Sequence, residues 1–91
     1  MELSEKAWRH IRERHPEVSN YKERIMEVLA RPELILKGGR AERKAISRTQ
    51  THLGPKYLVV VYREEQSQKV IITAYLTSDL KRVKGETVWR A

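Results

Sequence analysis

The sequence contains no cysteine among its 91 residues. Such a chain cannot form a disulfide framework, a thiolate zinc site or a cysteine nucleophile. No apolar run approaches the ~20 residues that a membrane-spanning helix needs, and the first residues lack the basic and apolar regions of a signal peptide. We therefore expect a cytoplasmic protein without a membrane segment. A chain of this length should form one domain, residues 1–91, around one modest core.

Positive charge is abundant and unevenly placed. Nineteen lysines and arginines stand against twelve acidic residues, which gives a net charge of +7. A small domain this basic favours a polyanionic partner, most often nucleic acid, although charge can also serve solubility alone. The segment 37–48 carries a single acid, Glu42. The candidate nucleic-acid-binding residues are the basic side chains of this segment, namely Lys37, Arg40, Arg43, Lys44 and Arg48, together with Arg63 further along the chain.

Two helices are predicted in the first third of the chain. Ser4 can cap a first helix, which should end near Arg14 because the proline two residues later restrains the residue between them. Asn20 and Glu23 have the spacing of a capping box for a second helix. A proline should stop that helix at about residue 31.

The hydrophobic period then changes from helical to two. Segments 57–62 and 70–77 are β-branched and aromatic, as is typical of strands. Segment 34–36 is a short apolar run, and 45–51 could be another strand. Segment 87–89 either adds a last strand or docks against the core. The order predicts an α+β fold, with two N-terminal helices packed on one face of a three- to four-stranded antiparallel sheet.

Alternation predicts which side chains face the helices and which lie on an open face. In 70–77, the residues expected to face the helices are Val70, Ile72, Ala74 and Leu76. Those expected on the open face are Ile71, Thr73, Tyr75 and Thr77. In the preceding strand, the set that contains Arg63 should share the open face: Tyr57, Val59, Val61 and Arg63. The hydroxyls of Thr73 and Tyr75 suit a phosphate backbone, but both residue types also simply favour strands.

His15 is the candidate for proton transfer. It lies four residues after Ile11 and seven after Trp8, and so continues the packed side of the first helix. An imidazole can exchange a proton near neutral pH, as RNA cleavage without a metal requires. A histidine at a helix C-terminus can equally be structural, favoured by the helix dipole. His10 points about 140° away, and the three histidines do not have metal-ligand spacing.

These residues together resemble a known family. Arg14-His15-Pro16-Glu17 closes the first helix, and the strands 57–61 and 70–77 follow in order, the second with Ile-Thr-Ala-Tyr. The pattern, over about residues 8–89, resembles the small phage and bacterial nucleases of the barnase–EndoU–colicin–RelE superfamily. The resemblance implies two helices on a four-stranded antiparallel sheet. It also implies a metal-independent endoribonuclease of the toxin type that needs no cofactor. Its active site would lie in a cleft on the open sheet face, and the cleaved RNA would end in a 2′,3′-cyclic phosphate.

The resemblance assigns roles to individual residues. His15 matches the expected acid or base, and Thr73 and Tyr75 match hydroxyl-bearing positions of the late strand. A basic residue of the middle strands should hold the phosphate. Arg43 and Arg48 both qualify, and Arg48 is taken as the candidate catalytic residue. The expected partners are RNA and an acidic antitoxin or immunity protein.

Two other readings of the sequence remain open. One is a non-catalytic nucleic-acid-binding module that uses the same basic face. The other is a structural or regulatory domain whose charge confers only solubility.

Overall fold

The computed structural model describes residues 3–91. Within them, two α-helices precede five strands, and short 3-10 helices occupy Pro16–Val18 and Leu80–Arg82. The elements are α1 (Glu5–Arg14), α2 (Lys22–Ala30), β1 (Leu34–Lys37), β2 (Glu42–Thr51), β3 (Gly54–Glu65), β4 (Gln68–Thr77) and β5 (Thr87–Arg90). The predicted α+β fold is confirmed. The sheet is larger than expected because both short segments, β1 and β5, join it.

The two helices begin in different ways. Ser4 Oγ accepts a hydrogen bond from the N–H of Ala7 at 3.1 Å, so the predicted cap of α1 is present. The predicted capping box of α2 is wrong. Tyr21, not Asn20, occupies the N-cap position, and it makes no side-chain cap. The 3-10 turn between the helices causes the shift, since the Tyr21 N–H donates to the Val18 carbonyl at 2.9 Å and leaves Asn20 inside the turn.

The sheet is antiparallel, with strand order β4-β3-β2-β1-β5. Strands β3 and β4 are joined by a two-residue turn at Gln66 and Ser67, whose φ angles are 52° and 66°. Positive φ at both positions is the geometry of the type I′ hairpin, whose twist matches that of the strands. Because β4 and β5 are opposite edges, the connection between them must cross the whole sheet.

This connection, residues 78–86, is here called the strap. Val83 of the strap is buried against the sheet, and Lys44 Nζ donates to the Lys84 carbonyl at 2.8 Å. Gly85 has a φ of 135°, and a Cβ at this position would lie 2.0 Å from the Lys37 carbonyl oxygen. The strap therefore requires glycine where it meets β1.

Apolar side chains form a cluster on each side of the sheet. The helix face, defined by Ala45, Leu58, Val60, Tyr62, Ile71 and Ala74, packs on the helices through Ile11, Val18, Ile25, Val28 and Leu29. The outer face, which was expected to be open, carries a smaller cluster under the strap. It consists of Leu36, Ile46, Val59, Val61 and Val83, flanked by Leu34, Tyr57, Ile72, Tyr75 and Leu80.

A β-bulge in β4 overturns part of the predicted alternation. Tyr62 pairs with Ile71, whereas the preceding residue, Val61, pairs with Thr73, so Ile72 is the extra residue. The bulge shifts the alternation by one position. Ile71 is therefore buried on the helix face, and Ile72 packs with the outer cluster, both opposite to expectation.

The predicted sheet faces are wrong on the hairpin side of the bulge and correct beyond it. Val70 pairs with Arg63 of the outer face, which is also opposite to expectation. Beyond the bulge, the predicted faces are confirmed for Ala74, Leu76, Thr73, Tyr75 and Thr77. The last three keep partial solvent access.

Candidate functional site

His15 and Tyr75 lie together at one edge of the sheet. His15 follows the last residue of α1, and its backbone N–H closes the helix by donating to the Ile11 carbonyl at 2.7 Å. Tyr75 lies on the outer face of the edge strand β4, opposite Val59. The two ring centroids are 5.6 Å apart, with 37° between the ring planes. The structure thus brings together two of the four candidate catalytic residues.

Glu17 adds a carboxylate to this pair. Its Oε2 lies 3.6 Å from His15 Nδ1, within ion-pair distance whenever the imidazole is protonated. The 3-10 turn Pro16–Val18 positions it directly after the helix. The His15 side chain is 33% exposed, so the imidazole remains accessible to a ligand.

The phenol of Tyr75 stays protonated at neutral pH. Burial raises its pKa above the usual value of 10.0, because desolvation penalises the phenolate. Tyr75 can therefore donate a hydrogen bond, but it is not a base. Thr73 shares its face and is partly exposed. Thr77 is less available, since its hydroxyl lies 3.3 Å from both the N–H and the carbonyl of Asp79.

Arg48 lies on the same face as Tyr75, and Arg43 does not. Arg48 pairs with Tyr57 across β2 and β3, and its guanidinium carbon lies 5.8 Å from the tyrosine ring centroid. Arg43 pairs with Tyr62, whose side chain is buried on the helix face. Of the two arginines that the resemblance allowed, only Arg48 shares the outer face with Tyr75.

The other basic candidates are divided between the two faces. Lys37 pairs with Arg43, and Arg40 lies in the β1–β2 turn with a φ of 53°. Lys44 is on the outer face but is engaged by the strap. Arg63 forms an ion pair with Glu65 at 2.9 Å. The segment 37–48 therefore does not present one continuous basic surface, because successive strand residues point to opposite sides.

A groove of about 650 Å³ lies on the helix side of the sheet, between the end of α2 and β5. Tyr62, Arg43, Lys69 and Trp89 are among its lining residues. Neither His15 nor Tyr75 contributes to it. This groove and the proton-transfer candidates are thus separate features.

Sequence reasoning did not single out Glu17 or Tyr57 as site residues. Glu17 stands in the motif Arg14-His15-Pro16-Glu17, so its proximity to the histidine was available as a signal. The pairing of Tyr57 with Arg48 depends on strand register, for which the sequence contains no local signal.

Residues 3–91 contain no group of three or more histidine, cysteine, aspartate or glutamate side chains arranged to hold a metal ion. Over the same residues, no helix is long and apolar enough to cross a membrane. In comparisons with protein-family models, curated proteins and solved structures, no family, protein or structure matches this chain.

Proposed function

We propose that this protein is an endoribonuclease in which a side chain of the protein, rather than a metal-bound group, accepts the proton during RNA cleavage. The observation that carries the proposal is the proximity of His15 to Tyr75, whose ring centroids are 5.6 Å apart, with Tyr75 on the sheet face that also holds Arg48. A proton acceptor, a hydrogen-bond donor and a fixed positive charge are the groups that such a cleavage needs.

In the proposed reaction, His15 accepts the proton of the ribose 2′-hydroxyl. The 2′ oxygen then attacks phosphorus, and the bond from phosphorus to the 5′ oxygen breaks. The products are a 2′,3′-cyclic phosphate and a 5′-hydroxyl, whose proton comes from water. His15 then returns its proton to the hydroxide that this leaves, so the enzyme and the water are regenerated. Glu17, 3.6 Å from Nδ1, stabilises the imidazolium that forms.

The remaining groups act on the phosphate. Tyr75, whose phenol is protonated at neutral pH, donates a hydrogen bond to a phosphate oxygen. Arg48 supplies positive charge for the pentavalent transition state, and its contact with Tyr57 restricts the orientation of the guanidinium. Thr73 offers a hydroxyl at the edge of the same surface.

The net charge of +7 supports a polyanionic substrate. By the same reasoning, a protein that inhibits this nuclease would be acidic, as expected of an antitoxin or immunity protein. The absence of cysteine fits action in the cytoplasm.

The test is cleavage of total RNA in EDTA by the purified protein, with the RNA ends mapped. We expect 2′,3′-cyclic phosphate ends. His15→Ala should lower the rate by about 10²–10⁴-fold, the usual contribution of a positioned acid or base. His10→Ala is the matched control, because His10 is exposed on α1 and contacts neither Glu17 nor Tyr75 as His15 does.

Full activity of His15→Ala at an unchanged melting temperature would refute the proposed role. Salt-dependent RNA binding without cleavage by the wild-type protein would instead favour the non-catalytic nucleic-acid-binding module.

A further inference from the structure

The two helices do not cover the whole sheet. The main sheet contacts of α1 are with β4, and those of α2 are with β2 and β3. Adjacent strands lie about 4.8 Å apart, and a helix with its side chains is about 10 Å across, so one helix covers roughly two strands. The helix side of β1 and β5, here called the uncovered strip, therefore has the width of one further helix.

The groove of about 650 Å³ lies on the uncovered strip, and its floor is apolar. In the register of β5 with β1, Trp89 pairs with Ile35. The next pair is Thr87 with Leu36, so Val88 is the extra residue of a bulge. Both Val88 and Trp89 line the groove, and they remain 42% and 46% exposed. Large apolar side chains that are exposed side by side, rather than singly, indicate an interaction surface.

Three cations also line the groove. Arg31, Arg43 and Lys69 contribute to it, and none of them takes part in an ion pair among residues 3–91. Lys69 Nζ donates to the Leu29 carbonyl at 3.3 Å and lies 5.3 Å from the Tyr62 ring centroid, so its charge is held at the groove. Arginine, tyrosine and tryptophan are the residue types that dominate the binding energy of protein interfaces.

Two carboxylates in the lining do not cancel this charge. Glu33 directs Oε1 to the backbone N–H of Arg48, at 3.3 Å. Glu64 lies opposite Lys69 in the β3–β4 hairpin, where it offsets one positive charge. Two arginines remain, in a chain whose net charge is +7. The groove thus complements a partner with negative charge.

The shape of the uncovered strip fits a helix better than a strand or a second copy of the chain. A strand added to the free edge of β5 would lie beside the sheet and leave Trp89 uncovered, because side chains stand roughly perpendicular to a sheet. A second copy would bring another charge of +7, which opposes association. The strands β1 and β5 have four residues each and span about 13 Å. About nine residues of a helix have this length.

We propose that the uncovered strip is a docking site for an acidic amphipathic helix of a partner protein. Apolar side chains at positions i, i+3 or i+4, and i+7 of that helix pack on Trp89. Acidic side chains along its flanks pair with Arg31 and Arg43. Neither His15 nor Tyr75 lines the groove, so the docked helix leaves this pair accessible. The inference does not depend on the proposed nuclease function.

The experiment titrates the isotope-labelled protein with synthetic peptides and follows its NMR spectrum. The probe is a helical peptide of about 16 residues with leucines on one face and glutamates beside them. One control peptide has the same composition in scrambled order, and the other has lysine in place of glutamate. The probe should bind about 10-fold more tightly than either control, with the largest shifts at Val88, Ile35 and the Trp89 indole.

Two pairs of variants test the apolar and the charged contacts. Trp89→Ala should weaken binding of the probe by about 30-fold, the usual effect of truncating a hot-spot residue. Leu53→Ala is its matched control, because Leu53 is 71% exposed in the β2–β3 turn, outside the groove. Arg43→Glu should weaken binding of the probe more than Arg9→Glu, which makes the same charge change on the exposed side of α1.

The inference is overturned if the scrambled peptide binds as tightly as the probe, if the shifts centre on another surface, or if Trp89→Ala binds as the wild type does. A wild-type chain that is dimeric in sedimentation, with Trp89→Ala monomeric, would assign the groove to a second copy and also overturn it. So would shifts at Val88 with a uridine oligonucleotide but not with the probe. Should Trp89→Ala fail to fold, the shifts of the wild type decide. RNA cleavage is not measured here, so the nuclease function and the docking site succeed or fail separately.

Discussion

The bulge in β4 makes a quantitative prediction about two adjacent isoleucines. Ile71 is 2% exposed in the helix-face core, whereas Ile72 is partly exposed and packs with the smaller outer cluster. Replacing either residue with alanine removes three carbons. Their transfer is worth about 2.4 kcal/mol at ~0.8 kcal/mol per methylene, and a cavity adds to this in a tightly packed site.

Ile71→Ala should therefore cost about 3–4 kcal/mol of unfolding free energy, and Ile72→Ala about 1–2 kcal/mol because part of its surface is already exposed. A chain of this length is expected to have roughly 5–14 kcal/mol of stability in total. The Ile71→Ala loss is thus a large share of the whole, and it should lower the melting temperature by about 12–30 °C at 4–8 °C per kcal/mol.

The assay is urea and thermal unfolding, followed by circular dichroism, of the wild type and both variants. The pair is internally controlled, because the substitution is the same at neighbouring positions of one strand. A larger loss for Ile72→Ala than for Ile71→Ala would refute the bulge, and would restore the uninterrupted alternation that the sequence predicts.

Three further predictions follow from the site, the strap and the core. Arg48→Ala should reduce the slope of log K against log salt for RNA binding by about 1, the contribution of one phosphate contact. Arg43→Ala should leave the slope unchanged. Equal effects would contradict the assignment of the two arginines to opposite faces. Gly85→Ala should lower the melting temperature strongly, because a Cβ there meets a backbone carbonyl at 2.0 Å, whereas Gly39→Ala has open space and should be tolerated. The pKa of Tyr62 is raised above 10.0, mainly by burial of the phenol and to a lesser extent by the nearby Glu64 carboxylate, although the nearby Arg43 opposes the shift. The unfolded chain then releases the phenol proton first, so stability should fall as pH rises above about 10, less steeply in Tyr62→Phe; an identical pH profile in that variant would exclude the effect.

Much of the fold could be predicted from the sequence because the signals are local. The cap at Ser4, the proline after α1 and the change of hydrophobic period depend on residues within one turn or one strand of each other. They predicted two helices before an antiparallel sheet, and His15 at the end of α1. Alternation also placed Thr73 and Tyr75 correctly, because they lie on the far side of the bulge from the hairpin turn.

Only the tertiary structure decided the rest, because those features depend on pairings between distant segments. Strand register assigns Arg48 rather than Arg43 to the face of Tyr75 and creates the bulge that exchanges Ile71 and Ile72. Register depends on the summed packing of both sheet faces, which no single strand encodes. The strap and β5 likewise join the fold through contacts with β1 and β2, which lie about 40 to 56 residues earlier in the chain. The groove between the end of α2 and β5 exists only because these distant segments meet there.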